Sequence, residues 1–145
     1  MKKFDFRLNR VLHWREIQKQ LQEERTRKAV QQAMQAREEA SKLIESGQEA
    51  MRLVQMGGEA SMMSSYPAFS RKLDQQKQAA VANIQGLDAA VAKERKRLVE
   101  MHRGVELLTR LHDTQRAEWD AENEREMQQF AEEAFVGRMN ARSRA

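Results

Sequence analysis

The residue types that most often carry chemistry are few in this sequence and poorly placed for it. Histidine occurs three times, as His13, His102 and His112. A helix presents two metal ligands to one ion when they lie three or four residues apart on one face. No two of these histidines have that spacing, so surface or interface positions outweigh a metal site. Cysteine is absent, which removes disulfides and thiolate chemistry. No glycine-rich phosphate loop is present, because Gly86 and Gly104 stand alone in helix-forming sequence, where each weakens a helix by about 1 kcal/mol relative to Ala. Residues 118–133 hold seven Asp/Glu against Arg125 alone. Carboxylates can act as general acid and base, but a run of this kind reads as a solvated helical face. The basic run KERKR at 93–97 has the charge for nucleic acid. With Glu94 and Glu100 interleaved it reads as the exposed side of a coiled coil. The expectation is a non-enzyme with no metal, no cofactor, no small-molecule substrate and no nucleic-acid partner.

What remains is the scaffold. In 145 residues there is one proline, and a third of the chain is charged. That is the profile of long helices. So polar a chain can also be disordered, but its apolar residues recur with a regular period. From Ala33, the series Ala33, Ala36, Ala40, Leu43, Gly47, Ala50 and Val54 alternates spacings of three and four. That puts them on one helical seam. Upstream, Val11, Trp14, Gln18 and Leu21 follow the same rule in a shifted phase, which predicts a stutter near residues 25–29. A second seam runs without a slip through Leu73, Lys77, Ala80, Ile84, Leu87, Val91, Glu94, Leu98, Met101, Val105, Leu108, His112, Gln115 and Trp119. Glu94, His112 and Gln115 are polar seam positions that lower stability and can fix register.

Between the two seams lies MGGEASMMSSYPAF, residues 56–69. Gly57 suits the left-handed residue that closes a helix. Pro67 suits the first turn of the next, with Tyr66 or a preceding serine as cap. The sequence therefore predicts an all-α fold, a long antiparallel two-helix coiled coil forming a single unit over 1–145. Helix one is expected at about 6–56, the turn at 57–66, helix two at about 67–137, and a frayed tail after it. Lengths of ~75 and ~105 Å follow, and helix two overhangs by about twenty residues. A turn centred near residue 61 sets Val11 opposite His112 and Ala36 near Leu87. Nine Lys/Arg against four Asp/Glu in residues 1–28 then meet the acidic run at 118–133.

Two groups exceed what the hairpin needs. Phe4, Phe6 and Leu8 lie where a chain end usually frays. Met127, Phe130 and Phe135 lie on the overhang. Apolar side chains without an intramolecular partner point to an intermolecular one. Phe4 and Phe6 beside Lys2, Lys3 and Arg7 also fit a membrane surface weakly. No apolar run reaches the ~18 residues of a membrane span. No apolar segment follows the two N-terminal lysines, so a secretory signal is not expected. The simplest location is cytoplasmic.

The opening FDFRLNRVLHWREIQKQ, the stretch SYPAFSRKLDQQ and the closing EREMQQFAEEAFVGR together resemble the flagellar FliJ family. The resemblance implies an antiparallel two-helix coiled coil like the shaft of rotary ATPases, serving flagellar type III export at the inner face of the cell membrane. It implies binding to the hexameric flagellar export ATPase and to the membrane export gate protein, with a part in escorting export chaperones. Carried over by position, the ATPase-facing residues are Phe4, Phe6, Arg7 and Leu8 with Met127, Phe130, Glu133 and Phe135. The gate-facing patch is Leu43, Tyr66, Phe69 and Leu73. The chain departs from the pattern at Ser46 and Ala50, where some members carry tyrosine, and around residues 128–132, where the usual lysine and Leu-Asp pair are replaced. Two alternatives stay open: an injectisome secretion stalk of the same fold, and a structural coiled coil that self-associates through its small-residue seam.

Overall fold

The computed structural model describes the backbone of residues 2–57 and 60–145, and the side chains of 2–57 and 66–145. Two helices account for nearly all of it: α1, Asn9–Gly57, and α2, Ala60–Ser143. Winding of α1 starts where the Asn9 amide donates to the Phe6 carbonyl at 3.0 Å and the Leu12 amide donates to the Leu8 carbonyl at 2.9 Å. The fold is the expected antiparallel two-helix hairpin, with α2 the longer helix.

Burial follows the heptads. Every member of the α2 seam except Gln115 is buried or half-buried. On α1, the series from Ala33 to Val54 is buried or half-buried throughout. Upstream the expectation fails, and the reason is physical. Val11, Trp14 and Leu21 are exposed, Trp14 by 59%. The buried positions there are Gln22 and Thr26, with Leu8, Leu12, Lys19 and Ala29 half-buried. These continue the Ala33 phase without a stutter. A polar layer, not a slip, interrupts the apolar pattern.

The helix ends also differ from expectation. Pro67 is internal to α2, and so is Tyr66, which is therefore not a cap. Residues 60–66 contain no glycine and no β-branched side chain, so α2 winds through them from Ala60. Gly57 is the last residue of α1 and does not take the left-handed conformation. Gly58 and Glu59 lie outside the described residues, as do the side chains of Met62 and Met63. At the other end α2 continues to Ser143, so the frayed tail begins later than expected. Its residues 124–145 are exposed throughout.

Contacts divide the chain into two units, each holding a piece of both helices: Met1–Gln18 with Met101–Ala145, and Lys19–Glu100. In the first, Phe6 and Val105 are buried, and Arg15 lies over Gly104, whose missing side chain makes the room. Phe6, not Val11, faces His112. In the second unit, Ala33, Ala40, Leu73 and Val91 form the apolar core. Gln22 is 2% exposed. Its amide donates to the Glu94 carbonyl at 3.3 Å and to the Glu94 carboxylate. Thr26 donates its hydroxyl to the Gln22 carbonyl at 2.8 Å. No described buried side-chain polar atom lacks a partner, which matters because each such atom left unpaired costs about 1–3 kcal/mol. Arg37 adds a bridge in which its Nη2 donates to both carboxylate oxygens of Asp88, at 2.9 and 2.7 Å. It is exposed at both partners, so its contribution is about 0–1 kcal/mol.

Candidate functional site

Three surfaces hold the residues singled out by sequence. The first is an aromatic clasp in the unit Met1–Gln18 with Met101–Ala145. Residues 2–6 leave the helical path and fold onto α2. Phe4 and Phe6 both meet the His112 ring edge-on, at centroid separations of 5.5 and 5.1 Å. Phe4 also tilts against Trp119 at 6.0 Å. The Arg116 guanidinium sits 5.1 Å from the centroids of both Phe4 and Trp119. Cation–π placement of this kind adds about 0.5–1 kcal/mol per ring at an exposed site. His112 is fixed further by its Nδ1, 3.0 Å from Asp113 Oδ1.

This changes the meaning of the N-terminal rings. Phe6 is 5% exposed and Phe4 half-buried, so they have an intramolecular partner. Leu8 is half-buried at the helix start, and only Arg7 of that group is exposed. The clasp does not include Phe130 or Phe135. Sequence reasoning placed His112 and Trp119 on the seam but missed their role as the platform for Phe4 and Phe6. The available signal was Arg116, four residues after His112 and three before Trp119, on the same helical face. Beside the clasp, Lys2 and Lys3 border a hollow of about 660 Å³ whose other wall carries Glu118, Glu122 and Glu126. Of the basic start, Lys2 and Lys3 approach the acidic run there, with Asp5 beside them.

The second surface is the bare end of α2. Met127, Phe130 and Phe135 are 49, 72 and 65% exposed, and Glu133 is exposed beside them. The expectation of unpartnered apolar side chains holds here.

The third lies in the unit Lys19–Glu100. Leu43, Phe69 and Leu73 converge on a hollow of about 290 Å³ beside Gly47, with Ser46 and Lys72 on its rim. Phe69 is 39% exposed and Leu73 5%. Tyr66, half-buried one helical turn before, does not line it. Leu73 owes its depth to Gly47: a Cβ there would lie 2.5 Å from Leu73 Cδ1. Of the four gate-patch residues, three therefore meet around one hollow, although they come from both helices.

Among the described residues no group of three His, Asp or Glu is placed to hold a metal ion. Nor is any described helix long and apolar enough to cross a membrane.

The model of one protein family, described as the flagellar FliJ protein, matches residues 3–144. The chain belongs to the FliJ family. The match spans both helices, the clasp and the bare end of α2, and it agrees with the two-helix hairpin described above. FliJ membership makes the chain a component of the flagellar export apparatus. No curated protein and no solved structure matches it.

Proposed function

We propose that this FliJ-family chain is a non-catalytic adaptor of the flagellar export apparatus. It binds the hexameric export ATPase through the bare end of α2 and the membrane export gate through the hollow beside Gly47, and it assists delivery of chaperone-bound substrates. It acts in the cytoplasm, against the inner face of the membrane.

The observation that carries the reading is the exposure of Met127, Phe130 and Phe135 on the end of α2, where residues 124–145 are exposed throughout. Large apolar side chains held in water on a rigid helix lower their free energy when another protein covers them. Phe4 and Phe6 enter indirectly: packed on His112 and Trp119, they brace the base of that helix. Arg7 remains exposed for direct contact. Glu133 adds a charge for orientation at the same surface. The gate reading is supported by the half-open hollow formed by Leu43, Phe69 and Leu73.

The test is co-sedimentation of the full chain with the purified cognate ATPase, together with hydrolysis measured with and without the chain. Association and a changed hydrolysis rate are expected. No association and an unchanged rate would end the adaptor reading.

A further inference from the structure

The apolar stripe at the end of α2 does not continue the hairpin seam. Carried on past Trp119, that seam runs through Glu122, Glu126, Gln129 and Glu133, all polar. The apolar stripe is Met127, Phe130 and Ala134, flanked by Asn123, Gly137 and Ala141 at the same alternating spacing of three and four. It lies one residue ahead, a rotation of about 100° around the helix. An extension of α1 along the seam would leave this face open. Phe135, Val136 and Met139, also exposed, lie off it.

Charge along the same stretch is segregated. Residues 118–126 carry Glu118, Asp120, Glu122, Glu124 and Glu126 against Arg125, whereas Arg138, Arg142 and Arg144 have no acid among residues 134–145. Two copies side by side in parallel would stack like on like. Two copies antiparallel set each acidic block against the partner's basic block, with the crossing near residues 132 and 133. In that register Phe130 faces Ala134, large against small, which suits close helix packing. Glu124 then flanks Arg138 of the second copy, with Arg142 one turn away. By two-fold symmetry each contact occurs twice.

We propose that the exposed end of α2 pairs antiparallel with the same segment of a second copy of this chain. The face is complementary in shape, and in charge at its two ends though not at the two-fold centre, where Glu133 meets Glu133 of the second copy; neither Glu124, Arg138 nor Arg142 is engaged in the ion pairs among the described residues. Pairing covers Phe130, so a paired chain has this surface occupied and an unpaired one has it free. The inference stands independently of the ATPase reading.

Sedimentation equilibrium of the full chain, from micromolar to near-millimolar concentration, tests it. A salt-sensitive monomer–dimer equilibrium is expected. The variant Arg138→Glu/Arg142→Glu and the variant Glu124→Arg should each weaken dimerisation by about tenfold or more, since attraction becomes repulsion at two symmetric places. Mixing the two variants should restore it, because each then offers the charges the other lacks. All three residues are exposed, so far-ultraviolet circular dichroism should stay unchanged. A wild type that is monomeric throughout, or a dimer indifferent to the reversals, overturns the proposal. So does a mixture that fails to pair. A monomeric chain that still binds the ATPase sinks self-pairing and spares the adaptor reading. A charge-sensitive dimer with no ATPase affinity does the reverse.

Discussion

Replacing Gly47 with alanine and Gly86 with alanine should change stability in opposite directions, although both glycines lie inside helices. Removing a glycine from a helix interior stabilises it by about 0.8–1 kcal/mol. At Gly86 nothing lies within 4 Å of the added Cβ, so the whole gain should appear. At Gly47 the new Cβ would lie 2.5 and 2.8 Å from the two methyl carbons of Leu73 and 3.2 Å from its Cγ. Both methyls and the branch point are involved, and Leu73 is only 5% exposed, so rotating one end of the side chain does not relieve the contact. Overpacking of this kind costs about 1–3 kcal/mol. The net for Gly47→Ala is then a loss of up to about 2 kcal/mol. Thermal unfolding followed by circular dichroism reads the difference, at roughly 3–5 °C per kcal/mol for a chain of this size. Gly86→Ala should raise Tm and Gly47→Ala lower it. Leu73→Ala alone should cost about 2 kcal/mol, the low end for a buried leucine. In the Leu73→Ala background Gly47→Ala should become stabilising, because the atoms it met are gone. If Gly47→Ala raises Tm as much as Gly86→Ala in the wild-type background, the helices do not approach each other at residues 47 and 73, and the reasoning fails.

Gln22→Leu should destabilise the hairpin by about 1–3 kcal/mol in urea unfolding, because the half-buried Glu94 carboxylate loses its donor; adding Glu94→Leu should recover most of that loss. Phe6→Ala should open the clasp, and limited proteolysis within the first eight residues should speed up while α2 stays protected. Phe130→Ala/Phe135→Ala should leave Tm within about 0.5 kcal/mol equivalent of wild type, since both rings are exposed. Arg37→Ala should cost about 1 kcal/mol or less, with the loss vanishing in high salt.

The seam of α2 was legible because it is long and unbroken, so its period is unambiguous from Leu73 to Trp119. The lower half of α1 was legible for the same reason. The upper half was misread because Gln22 and Thr26 are polar and buried while Val11, Trp14 and Leu21 are apolar and exposed. Hydropathy assigns such residues to the wrong face. Only the partner, Glu94 on the other helix, explains the choice, and no local pattern records a partner seventy-two residues away. Pro67 misled in a related way. Proline prefers a first helical turn, but a favourable sequence before it carried the helix through. At the candidate sites, the exposed rings at 130 and 135 followed from the overhang. The clasp on His112 did not, because chain ends carry no periodicity. The hollow beside Gly47 gathers Leu43, Phe69 and Leu73, which were chosen by resemblance, and the space left by a glycine side chain is what brings them together.

We propose that the bare end of α2 engages the export ATPase. The most direct measurement is the affinity of the full chain for the purified ATPase, wild type against Phe130→Ala/Phe135→Ala, with helicity recorded for both. Expected are binding by the wild type, a loss of tenfold or more in the variant, as follows from about 1.4 kcal/mol or more removed from two aromatic anchors, and equal helicity. Equal affinity in the two proteins would contradict it.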